Sequence, residues 1–225
     1  MHRRIDDLAS YVNTLVGLYV QTHQKVEILE SLATHDLVDR LNPSYGANAF
    51  DALVNVLIQD IIRSTWALAL DKAKTTPSVV NIWRLASHPD ALPALRSRFV
   101  SAQPPEPARG PEQFDEAVVR LQQSVQVATT GPQAERFTRA RNKAIAHHEM
   151  QRQAERGLQL FDLRSVAIGW DGFREYVESL APLVQDLALV ITGAQYRLAD
   201  VHEHHRMNVL DFWMRIMGTG SITPT

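Results

Sequence analysis

Apolar residues recur every three or four positions along most of this chain, the period of an α-helix rather than the alternation of a strand. Over residues 5–31 they fall at Ile5, Leu8, Val12, Leu15, Val16, Leu18 and Tyr19, then at Val26 and Leu29, with Leu32 just beyond. Asn42-Pro43-Ser44-Tyr45-Gly46 predicts a turn, because Pro and Gly both interrupt helices. Residues 47–74 are apolar at Phe50, Leu53, Val54, Leu57, Ile58, Ile61, Ile62, Trp66, Leu68 and Leu70. That density predicts the central helix of a bundle, buried on most of its circumference.

Thr75-Thr76-Pro77-Ser78 stops this helix and supplies Ser78 as the cap of a short one over residues 79–87. A second short helix is expected over residues 91–99. Pro104, Pro105, Pro107 and Pro111 then exclude regular structure over residues 103–111. The helical period resumes over residues 112–127. Pro132, suited to a first helical position, opens a helix that runs through residues 133–148. Residues 171–193 form a further apolar helix that Pro182 should kink. An amphipathic segment over residues 196–217 ends at Gly218. No internal repeat and no strand pattern of useful length is present. The expected architecture is all-α, an up-and-down bundle of four or five main helices with shorter accessory ones. Residues 1–225 read as one domain, with 196–225 as a helical extension.

Composition narrows the chemistry. The 225 residues suffice for a sizeable core without staples. The chain has no cysteine, which removes disulfides, thiolate metal sites, iron–sulfur clusters and thiol nucleophiles. A net charge of −2 excludes a globally basic nucleic-acid binder but not a local basic patch. Asp6 and Asp7 follow the first basic residues, no signal peptide is evident, and the most apolar run, 180–194, is interrupted by Pro182, Gln185 and Asp186. A cytoplasmic protein with no membrane association is expected.

One segment stands apart: Arg136-Phe-Thr-Arg-Ala-Arg-Asn-Lys-Ala-Ile-Ala-His-His-Glu149. At about 100° per residue, Arg136, Arg139 and Lys143 share a solvated side. Arg141 instead lies among Ala134, Phe137, Ala144, Ile145 and His148, on the apolar side. A guanidinium there cannot shed its proton, so it requires an acid, carbonyl oxygens or an anionic ligand. An acid from another helix would make it structural. A phosphate would make it functional, since the Arg fork binds phosphate through two donors. An imidazole nearby can move protons near neutral pH. Arg, amide and His together are the minimal set for cleaving RNA without metal, with Asn142 as the orienting amide.

Arg141-Asn142-Lys143-Ala144-Ile145-Ala146-His147 resembles the signature of the HEPN superfamily, and its Arg-Asn-Lys opening and Ala-His ending resemble the abortive-infection branch. The long apolar helix with Trp66 and Asp71, and the short segment Ser78 to Leu85, are similar to that branch over most of residues 5–195. The resemblance implies a helical bundle, metal-independent endoribonuclease activity without cofactor, and a homodimer whose two motifs face one cleft. It also implies a toxin setting beside an antitoxin or nucleotidyltransferase partner, although other members only bind or scaffold. Arg141 would hold the scissile phosphate, His147 would act as acid or base, and Asn142 would position them. On an ideal helix His148 lies within about 20° of Arg141 and His147 about 120° away. The Ala-His context favours His147, so both imidazoles stay candidates. Arg136, Arg139 and Lys143, helped by Arg96 and Arg98, would supply an RNA-binding patch. Glu149 stands where some toxin members carry a Tyr that a partner modifies.

Three readings follow: a nuclease, a non-catalytic module that binds RNA, nucleotide or protein, and a structural dimer in which Arg141 is ion-paired. His202-Glu203-His204-His205 lacks HExxH spacing and reads as a solvated, partly titrating face, not a metal site. His23, His35 and His88 read as isolated surface or packing residues. Trp66, Trp83, Trp170 and Trp213 read as core or interface.

Overall fold

The computed structural model describes residues 2–32, 46–101, 110–146, 150–153, 157–160, 166 and 168–217. Helix α1 spans His2–Leu32 and buries Leu8, Val12, Leu15, Val16, Tyr19, Val26, Leu29 and Leu32, the stripe that the periodicity predicts. Helix α2 spans Ala47–Ala69, and α3, over Val79–Ala86, begins where the Ser78 side chain accepts from the Asn81 amide. Helix α4 spans Ala91–Ser101, α5 spans Pro111–Thr130, and α6 spans Pro132–Ala140 with its proline in the first turn. Residues 42–45 of the expected turn and 102–109 of the proline-rich loop lie outside the described residues.

Four features differ from expectation. Helix α2 stops at Ala69, five residues early, because Asp71 builds a competing turn. Its carboxylate accepts from the Ala73 amide at 2.9 Å and the Thr76 hydroxyl at 3.0 Å. The buried Asn81 amide then ties the carbonyls of Asp71, Ala73 and Thr76 together. Second, α2 is not the central helix. Leu53 and Val56 in its first half are exposed, and its buried residues are confined to Ile61, Ile62, Thr65, Leu68 and Ala69. The central position belongs to α8, Ala181–Thr192, where Leu183, Val184 and Leu187 to Ile191 are all buried. It packs against α1, α3, α4 and α5.

Third, the apolar stretch 171–193 is two helices. Helix α7, Trp170–Ser179, ends at Leu180, and α8 restarts at once with Pro182 in its first turn, where a missing N–H costs nothing. Gly193 takes the left-handed conformation (φ 73°) that ends α8. Fourth, strands β1 (Met150–Gln153) and β2 (Gly157–Leu160) pair antiparallel, Met150 opposite Leu160 and Gln151 opposite Gln159. Four-residue strands without β-branched residues leave no readable alternation. The architecture is nonetheless an all-α bundle, to which this hairpin is an appendage.

Helix α9, Leu198–Met217, lies along α1. Trp213 Nε1 donates to Ser31 Oγ at 2.7 Å, and Val209 is buried. The solvated-face reading of residues 202–205 is thereby corrected. His202 and His205 turn toward α1, with His205 buried, while Glu203 and His204 face solvent. His23 is also wholly buried, against His202. No helix among the described residues is long and apolar enough to cross a membrane.

Candidate functional site

The motif is carried by α6 and the segment that continues it. Ala134, Phe137 and Ala140 are buried. Phe137 packs edge-on against Phe173 and 4.7 Å from the Tyr176 ring, both on α7. The Tyr176 hydroxyl donates to the Ala128 carbonyl at 2.8 Å, locking α7 to the end of α5. One turn past Phe137 stands Arg141, on the same inward side, as the apolar pattern predicts.

The backbone changes character there. The Arg141 amide points at the carbonyls of both Phe137 and Thr138, and residues Arg141–Ala146 form a π-helix instead of continuing the α-helix. Such widened turns are rare and concentrate at functional sites. The expected α-helix through residue 148 is therefore corrected. So is the geometric case for His148, because rotation of 100° per residue does not apply to a π-turn. His147 and His148 lie outside the described residues.

Arg141 is half-buried. Its guanidinium carbon lies 4.2 Å from the centre of the Trp66 ring on α2. One of its terminal nitrogens donates to Asn142 Oδ1 at 2.9 Å. Among the described residues no carboxylate lies within ion-pair distance of it. A guanidinium carries five N–H donors, and an amide oxygen and an indole face leave most of them for another acceptor. The indole fixes the plane of the fork and the amide fixes its rotation, so the cation is oriented by groups that do not neutralise it. Trp66 is a site residue that sequence reasoning missed. Its heptad-like apolar company disguised it as core, and nothing local in the sequence links α2 to the motif. The buried Ile145 side chain anchors the π-segment, which packs on α2.

Arg136 and Arg139 are exposed on α6, and Lys143 is half-buried in the π-segment. Arg136 and Arg139 precede Arg141 by five and two residues, and Lys143 follows it by two. Arg96 and Arg98, in contrast, are each paired to an acid away from the motif. Arg96 forms a two-pronged pair with Asp115, both bonds 2.8 Å, and Arg98 meets Asp6 at 3.2 Å.

The structure is an all-helical bundle in which a late helix ends at Arg141, an arginine that meets no carboxylate among the described residues. The chain matches the family model described as AbiU2 over residues 5–212, and it belongs to that abortive-infection branch of the HEPN superfamily. The match includes most of α9, which the sequence places outside the resemblance. No curated protein and no solved structure matches the chain.

Proposed function

We propose that this HEPN module is a metal-independent endoribonuclease that acts as a homodimer. The observation that carries the reading is Arg141: half-buried, set over Trp66, bonded to Asn142 and facing no acid among the described residues. In this reading the Arg141 fork grips the scissile phosphate of RNA and stabilises the charge that builds on its oxygens. His147 takes the proton from the ribose 2′-OH, whose oxygen attacks phosphorus. The bond to the 5′-oxygen breaks, and that oxygen receives a proton, from His147 or from the imidazole of the second copy across the cleft. The products are a 2′,3′-cyclic phosphate and a 5′-hydroxyl. His148 is the competing imidazole. Arg136, Arg139 and Lys143 hold the flanking backbone. The setting is prokaryotic defence or a toxin–antitoxin pair in the cytoplasm, with an antitoxin or nucleotidyltransferase as partner.

The test is RNA cleavage by the purified chain in EDTA, with circular dichroism confirming that the fold survives the chelator. Wild type is expected to cut. Arg141→Ala should lose about 100- to 1,000-fold, the usual cost of removing one transition-state donor. His147→Ala should be inactive and His148→Ala active; the reverse outcome moves the role to His148. Folded wild type that leaves tRNA and mRNA intact sinks the nuclease reading in favour of a binding module.

A further inference from the structure

Away from the motif, α1, α7 and α9 enclose a second group of polar side chains. We propose that His23, Glu178 and His202 bind one divalent transition-metal ion of the zinc class, which ties α9 to the bundle. The nitrogens and the carboxylate oxygen that these residues offer all lie within 4.8 Å of one another. They come from three helices, so an ion here crosslinks elements that are distant in sequence.

Three observations point to a cation. The first is an orphaned donor set. His23 Nε2 is sealed from solvent and has no hydrogen-bond partner, and beside it the buried Glu27 Oε1 meets only the Arg174 guanidinium, at 3.1 Å. His23 Nε2 stands 3.7 Å from Glu27 Oε1 and 3.7 Å from Glu178 Oε1. That is too long for a hydrogen bond. It is close to the separation of about 3.3–3.6 Å between two ligands on one tetrahedral zinc, whose bonds are about 2.0–2.2 Å.

The second is charge. Glu27, Glu30 and Glu178 surround one guanidinium, that of Arg174, at 3.1 Å for Glu27 and 3.5 Å for Glu178, with Glu30 closest. Three carboxylates against one cation leave an excess of negative charge that a dication balances.

The third is the support behind the ligands. His23 Nδ1 lies 3.4 Å from His205 Nδ1, and Tyr19 Oη lies 2.7 Å from His202 Nε2. With the proton on His23 Nδ1 and shared toward His205, the Nε2 lone pair faces the carboxylates. This is the way outer groups orient a ligating imidazole. His23 and His202 are stacked, 3.8 Å apart and 4° from parallel. Converging on one ion turns the rings out of this stack and draws the three donors inward by about 1 Å.

The test uses the full, tag-free chain, stripped with chelator and returned to metal-free buffer. Titration with Zn²⁺ should show one saturable site per chain, and Co²⁺ should give the visible bands of four-coordinate cobalt. Both signals should vanish in His202→Gln and Glu178→Gln. His205→Gln should weaken binding about 10- to 100-fold, as loss of an orienting group does. His204→Gln, on the exposed side of α9, should bind like wild type. Circular dichroism separates lost ligation from lost fold, and Glu178→Gln, nearly isosteric and half-buried, keeps the test alive if the histidine variants unfold. No saturable binding to wild type, or equal binding to wild type and Glu178→Gln, overturns the proposal. The readout is independent of RNA cleavage.

Discussion

Arg141 separates the structural from the functional reading at the scale of one residue. A guanidinium withdrawn from solvent to serve the fold finds a carboxylate; among the described residues half-buried Arg141 finds an indole face and an amide oxygen. A cation over an aromatic ring is worth about 0.5–2 kcal/mol. Trp66→Leu should therefore reduce kcat/KM on RNA about 2- to 30-fold by loosening the fork, and Trp66→Phe should recover part of the loss. Arg141→Lys should not substitute for Arg141, since a point charge lacks the planar fork. Equal kcat/KM for wild type and Trp66→Leu would show that the indole is packing only. The sequence placed Arg141 on the apolar side of its helix because Ala134 and Phe137 precede it at helical spacing. It could not show what covers that side. Trp66 arrives from another helix, and long-range pairing leaves no periodic trace. The same holds for His23, whose partners on α9 lie across the whole chain. A local sign did exist there: Tyr19, His23 and Glu27 stand four apart, a polar stripe within the otherwise apolar buried face of α1.

Helix starts were more legible than helix ends, and the reason is chemical. Ser78 and Pro132 announce beginnings by groups that satisfy, or do without, first-turn N–H donors. The end of α2 depends on Asp71 reaching its own downstream backbone, with Asn81 closing the loop from the next helix. Ser78 sits at the centre of this arrangement: wholly buried, accepting from the Asn81 amide and donating to the Asp71 carbonyl at 2.5 Å. Ser78→Ala should thus cost about 1–2 kcal/mol in urea unfolding, the upper part of the range for a lost cap. A cost below about 0.3 kcal/mol would mean that the α2–α3 connection is held by Asn81 alone. The π-segment has no sequence signal of this kind. Arg141 to Ala146 contains no Gly or Pro that would mark a break, so the widening answers to packing of the segment on α2, where Arg141 lies over Trp66, and not to local propensity.

At the scale of the whole molecule, helical period and composition were enough for an all-α bundle, but not for its centre. Both α2 and α8 are rich in apolar residues; only α8 is covered on nearly every side. The apolar surface left over on α2 then needs an account. Leu53 is 53% exposed and Val56 65%, next to half-buried Val54 and Leu57, on the helix that carries Trp66. A helix that presents such residues to water is a natural contact for a second copy. The proposed dimer, with two motifs facing one cleft, supplies that copy. Wild type should sediment as a dimer, and Leu53→Glu with Val56→Glu should sediment as a monomer at the same concentration. Because both side chains are exposed, the double change should alter unfolding stability by no more than about 1 kcal/mol. Cleavage should fall with dimerisation, and it should return as protein concentration rises past the weakened dissociation constant. A monomeric wild type that cuts RNA would remove the shared cleft from the mechanism and leave both proton transfers to one chain's own imidazoles. A double variant that stays dimeric would move the interface off α2 while sparing the dimer itself.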